Sequence, residues 1–290
     1  MKVSGFTFVR NGVRYDYPVI EAITSILPLC DEFVVAVGNS DDDTLGLIKS
    51  ITSPKIKILE TIWDDGLREG GRVLAVETNK AFQAISPESD WAFYIQADEV
   101  FHENDLPAIR EAMLKWKDDK SVEGLLFRHM NFYGSYDFIA GSRKWQKNEI
   151  RVIRNDREIS SWKDAMSFRK NGVKLRVKPV DACIYHYGWV KHPAVLQAKV
   201  KEFNKLWHDD DWVDQNIPKV NEFDYSQIDM IIKFAGTHPL VMQKRIESVN
   251  WQFDFDPTRS SKMSMRHRVL NNIYLKTGWL IGGFKNYKKI

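Results

Sequence analysis

The apolar positions of the chain fall into short runs with two alternating periods. Residues 3–9 read as a strand. Val19, Ile23, Ile26 and Leu27 then recur at helical spacing, with Asp16 as candidate cap and Pro18 tolerated in the first turn. Residues 33–37 are a short apolar run ending in Gly38, Asn39, Ser40 and three aspartates, and Asp43 or Thr44 can cap the next helix. Ile56, Ile58 and Ile62 mark a third strand, 66–71 a loop, and 72–85 a helix with Leu74, Ala81 and Ile85 on one side. Residues 91–95 are apolar throughout, as in a strand buried on both faces. Leu106, Ile109, Met113 and Trp116 mark a further helix, reached through Asn104, Asp105 and Pro107.

Strands alternating with helices predict βαβ units and a mostly parallel sheet. Ligands of such sheets bind at the carboxyl ends of the strands. That directs attention to Arg10 and Asn11 and to residues 38–43, 63–65 and 96–99. The second half is less regular. Strands are expected over 124–130, 149–153, 173–180 and 182–187, and an amphipathic helix over 195–207 through Leu196, Val200, Phe203 and Trp207. An acidic loop at 208–211 and a mixed segment follow, without an internal repeat.

Composition narrows the class. A chain of 290 residues with 43% hydrophobic and 28% charged residues can bury its own core, which excludes a disordered chain, a collagen-like repeat and a multi-span membrane protein. Two cysteines, Cys30 and Cys183, are too few for a disulfide framework. With no signal-peptide pattern at the N-terminus, the expected location is the cytoplasm. The net charge of +3 gives no reason to expect a nucleic-acid partner. It is unevenly spread: residues 261–290 hold seven Lys and Arg, Lys262 among them, and no Asp or Glu. This basic, aromatic tail reads either as a terminal helix docked on the body or as a peripheral contact with an anionic membrane surface at its inner face.

Several signatures are missing. There is no GxxxxGK[ST] loop, no GxGxxG opening a helix, no HExxH and no GxSxG, which argues against P-loop, Rossmann, zincin and α/β-hydrolase enzymes. The sharpest positive feature is the apolar strand 91–95 running into Gln96, Ala97, Asp98 and Glu99. A carboxylate there can hold Mg²⁺ or Mn²⁺ and stabilise a departing diphosphate, or it can cap the following turn.

Together these segments resemble the family 2 glycosyltransferases of GT-A fold. The opening strand ends in Arg10 and Asn11, and residues 37–44 resemble the family's acidic loop after the second strand. Residues 71–79 resemble the helix before the motif strand, and Gln96-Ala97-Asp98 falls on the DxD motif. The resemblance covers roughly residues 1–205. It implies an α/β GT-A domain, with 1–120 as the nucleotide-sugar half, 121–205 as the acceptor half and 206–290 as a helical extension. It implies Asp98 as ligand of Mn²⁺ or Mg²⁺, and Arg10, Asn11, Gly38, Asn39, Arg72, Gln96 and Ala97 around the donor. The sequence departs from the family where Gln96 replaces the first Asp of DxD and Gly38 replaces the Asp after the second strand.

Downstream, residues 184–191 resemble the family's H-x-G segment, which makes His186 a second metal ligand; the alternative is a core histidine. Lys191, Arg151, Arg154 and Arg169 are candidates for the diphosphate. An inverting transferase needs a base for the acceptor hydroxyl. Asp164 is the first choice, with Glu149 and Asp137 as alternatives. The activity implied is transfer of a sugar from a UDP- or GDP-linked donor to a saccharide or glycolipid acceptor, in polysaccharide or glycoconjugate synthesis. The rivals are a nucleotidyltransferase, for which residues 10–14 make a poor glycine-rich loop, and a non-catalytic carbohydrate-binding protein.

Overall fold

The computed structural model describes residues 1–253 and 263–290. Residues 261 and 262 of the basic tail therefore lie outside the described residues. The first half follows the predicted alternation: β1 (Val3–Val9), α1 (Val19–Ile26), β2 (Glu32–Gly38), α2 (Thr44–Lys49), β3 (Ile56–Thr61), α3 (Arg72–Gln83) and β4 (Trp91–Tyr94). These strands pair in parallel in the order β3-β2-β1-β4. Helices cover both faces, so β2 and β4 are buried at every position. One cap differs from expectation. Asp43 does accept from Gly46 N, but the N-cap of α1 is Pro18. Asp16 instead has φ of 48° and pairs with Arg245.

Beyond β4 the chain forms β5 (Glu99–Phe101), α4 (Leu106–Trp116), β6 (Gly124–Tyr133), β7 (Ser135–Ala140) and β8 (Asn148–Arg154). β8 pairs antiparallel with both β4 and β6 and so joins the second half to the first. A small separate sheet follows, built from β9 (Ile159–Trp162), β10 (Ser167–Lys170) and β11 (Val173–Lys174). The two strands expected over 173–187 are mainly one long strand, β12 (Arg176–Trp189). Its pairing with β6 slips between Pro179 and Cys183. Proline has no N–H to give to a ladder, and Cys183 N donates to Asp105 Oδ2 instead at 2.7 Å.

The remaining elements are α5 (Pro193–Asn204), α6 (Asp210–Asn216), β13 (Ile231–Lys233), α7 (Gln243–Glu247), α8 (Met265–Thr277) and β14 (Lys288–Lys289). The segment after 206 is thus not helical alone. β13 pairs with β7, and β14 with the start of β12. The Arg169 guanidinium donates to Asn286 O and Oδ1, which fixes the tail on the body. Met265, Trp279 and Phe284 stay exposed. No helix among the described residues is long and apolar enough to cross a membrane. The parallel order 3-2-1-4 followed by an antiparallel strand gives the α/β architecture expected of a GT-A-like fold.

Candidate active site

A cavity of about 680 Å³ opens over the carboxyl ends of β1 and β4, between them and α5. Its floor is the turn from β4 to β5. Glu99 begins β5 and sits opposite His186 in the antiparallel β5–β12 ladder, while Tyr187 N donates to Asp98 O at 2.8 Å. This pairing brings His186 beside Asp98 from a strand far away in sequence. Asp98 Oδ2 lies 3.6 Å from His186 Nε2 and 3.1 Å from Lys199 Nζ of α5. Burial acts to raise the Asp98 pKa, but Lys199 and His186 outweigh it and hold the carboxylate well below its usual range.

Glu99 points the other way. It is fully buried and accepts from Arg151 Nε and Nη2 at 2.6 Å each and from His129 Nε2 at 3.1 Å. Burial raises its pKa, and Arg151 with His129 reverses this, leaving it far below the ordinary value. Burial in turn pushes His129 down to about 4. Arg151 is therefore held by Glu99. Arg154 donates to the carbonyls of Val122, Lys117 and Asp119, and Arg169 holds the tail. None of the three arginines is left free for a diphosphate.

Of the expected donor residues, Arg10, Asn11, Gln96, Ala97 and Asp98 line the cavity, and Gly38, Asn39, Arg72 and Lys191 do not. Gly38 and Asn39 act behind the wall. A Cβ on Gly38 would stand 2.3 Å from Trp63 Nε1, so the indole fills the space a side chain would need. Asn39 Oδ1 accepts from Trp63 N at 3.0 Å, and Asn39 O accepts from Arg10 Nε at 2.9 Å. Trp63 and Arg10 stack over each other at the rim. Arg72 is exposed at the start of α3. Lys191 is fully buried and donates to Asp16 O at 2.6 Å; burial, with Lys199 adding, pushes it down to about 7.

The three candidates for base separate. Asp137 is exposed on β7 and does not line the cavity. Asp164 and Glu149 both line it. Asp164 sits in a tight turn in which Lys163 and Ala165 have φ of 55° and 59°. The turn presses against Gly71, where a Cβ would meet Asp164 Cβ at 2.8 Å, and Gln96 Nε2 donates to Ala165 O at 3.4 Å. Asp164 Oδ1 is buried with no hydrogen-bond partner among the described residues, and burial raises its pKa. Glu149 is pushed up to about 8 by burial, with Glu99 and Asp164 adding to the effect.

The resemblance implies Mn²⁺ or Mg²⁺ at Asp98 and His186. Their spacing is one that a single ion can bridge. Yet Asp98 Oδ2 already carries the Lys199 ammonium, and among the described residues no group of three His, Cys, Asp or Glu side chains converges. A divalent ion that binds with a diphosphate needs only one or two protein ligands, so it is the ammonium lodged against Asp98, not the number of donors, that does not fit such an ion here. Lys199 carries no signal in the sequence, because a lysine in an amphipathic helix reads as solvated.

No family model matches the chain, and no curated protein matches it. The solved structures similar to it are so only at low identity and low TM-score. A fragment of S. aureus TarS, residues 1–349, is 14% identical with a TM-score of 0.39, over 70% of this chain. The chain spans 64% of that fragment's length. The same fragment has been solved in complex with UDP. Glucosyl-3-phosphoglycerate synthase from Mycobacterium tuberculosis, in complex with Mn²⁺, UDP and phosphoglyceric acid, is 20% identical with a TM-score of 0.30, over 45% of this chain and 43% of its own. 4-Diphosphocytidyl-2C-methyl-D-erythritol synthase from Anaerococcus prevotii is 11% identical with a TM-score of 0.37, over 70% of this chain and 94% of its own.

Proposed function

We propose that the protein is an inverting glycosyltransferase that moves a sugar from a UDP- or GDP-linked donor to an acceptor hydroxyl in polysaccharide or glycoconjugate synthesis. The observation that carries it is the pairing, across one cavity at the strand ends, of a polar floor at Asp98, His186 and Lys199 with the Asp164 carboxylate, whose buried Oδ1 has no hydrogen-bond partner among the described residues. The floor suits a diphosphate leaving group, and Asp164 suits a base.

In this reading the diphosphate lies over the floor, and Gln96 hydrogen-bonds hydroxyls of ribose or sugar. The nucleobase lies towards Arg10 and Trp63. The acceptor oxygen attacks the anomeric carbon in line. Its bond to that carbon forms as the bond from carbon to the diphosphate oxygen breaks. The electron pair leaves with the diphosphate, and the hydroxyl proton passes to Asp164. No step runs through a metal ion. Exposed Trp279 and Phe284, among the cations of the tail, support a glycolipid acceptor held at a membrane surface.

A thermal-shift panel tests the reading with UDP, GDP, CDP and their sugar conjugates. A ligand at about one hundred times its Kd adds roughly 2.7 kcal/mol of stability, which is readily seen. A shift with one nucleotide and its sugar conjugate supports the reading. No shift with any of them favours the non-catalytic rival.

A further inference from the structure

We propose that Lys199 is the built-in cation of the donor cavity: its ammonium takes the place beside Asp98 that a divalent ion would occupy, so that a nucleoside diphosphate binds here without one. The proposal rests on the sugar-nucleotide reading above and deepens it.

Three observations support it. Lys199 Nζ donates to Asp98 Oδ2 at 3.1 Å and to Gly188 O at 3.2 Å, and lies 4.8 Å from the centroid of the Tyr17 ring. These contacts come from the β4–β5 turn, from β12 and from the segment before α1, so the ammonium is held at one point. Its side chain is 15% exposed and lines the cavity, so it meets the ligand across little water. Finally, a second buried lysine, Lys191, lies 4.8 Å from the same Tyr17 ring.

The charges decide the outcome. A divalent ion entering beside Asp98 would meet one carboxylate and one imidazole, and would be repelled by an ammonium already bound to that carboxylate. A diphosphate entering the same space would meet the ammonium, which gives two of its three N–H groups to Asp98 and Gly188, and would accept a charge-assisted hydrogen bond from it.

Calorimetric titration of UDP and of GDP, each in EDTA and in Mn²⁺, tests this. The nucleotide that binds is expected to do so with Kd values within about twofold in the two conditions. Lys199→Met should weaken binding about tenfold or more in EDTA, the size of a lost charge-assisted hydrogen bond. Mn²⁺ should restore part of it, because the variant frees Asp98 and His186 for an ion. Lys199→Arg should keep binding in EDTA. A merely structural role would lower affinity equally with and without Mn²⁺, and melting curves of both variants report whether they fold. Binding by the wild type only with Mn²⁺ would overturn the proposal and leave the sugar-nucleotide reading standing. So would unchanged affinity of Lys199→Met in EDTA. Failure of both nucleotides under both conditions would overturn the two together.

Discussion

Glu99 and Arg151 meet through two parallel hydrogen bonds of 2.6 Å, fully buried beneath the cavity floor. Asp98 and Glu99 are adjacent in sequence and act in opposite directions: Asp98 faces the cavity and Glu99 locks the turn to β8. Removing one partner leaves the other charge buried and uncompensated. Arg151→Met should therefore cost about 3–5 kcal/mol in urea denaturation. Glu99→Gln/Arg151→Met should recover part of that loss. A double-variant loss equal to the sum of the Glu99→Gln and Arg151→Met losses would show that the pair is not coupled.

Trp63 packs where a side chain at position 38 would stand. Gly38→Ala should destabilise by about 1–3 kcal/mol, the usual cost of overpacking. It should also weaken nucleotide binding by moving the indole and Arg10. In the double variant with Trp63→Ala, the two losses should add to less than their sum. Simple additivity would mean that the clash is relieved elsewhere.

Glu149 gives the protein a pH signature. Its folded pKa is raised from an ordinary 4.5 to about 8, so the folded state binds more protons than the unfolded state between these values. Its contribution is fully present below about 4.5 and is lost as pH rises through about 8. Glu149→Gln removes that loss. The melting temperature of the variant should match the wild type near pH 4.5 and exceed it progressively towards pH 8. A difference independent of pH would show that Glu149 titrates normally.

The first half of the fold was legible because each buried strand is a local signal. Residues 33–37 and 91–95 are apolar throughout and flanked by helices with clear spacing. The short strands β5, β9 and β10 were not legible. They carry Glu99, Ser161 and Arg169, whose partners Arg151, Asn79 and Asn286 lie elsewhere in the sequence. Glu99 is tolerated in a buried strand only because Arg151, 52 residues on, neutralises it. Of the site, Asp98, His186 and Asp164 stood out by type and position, and the structure places all three on one cavity. Lys199 could not be read, because only the fold brings α5 to the end of β4. The carboxylate at 164 stood ahead of that at 137 in sequence only by its place in the acceptor half. Burial tells them apart.

The most direct test of the central claim is product analysis with a sugar nucleotide that binds, in the presence of candidate saccharide or lipid-linked acceptors. The wild type is expected to release UDP or GDP and to transfer the sugar. Asp164→Asn should bind the donor with unchanged affinity and lose transfer by about 10²-fold or more, as when a general base is removed. Release of pyrophosphate, or transfer by Asp164→Asn at the wild-type rate, would contradict the account.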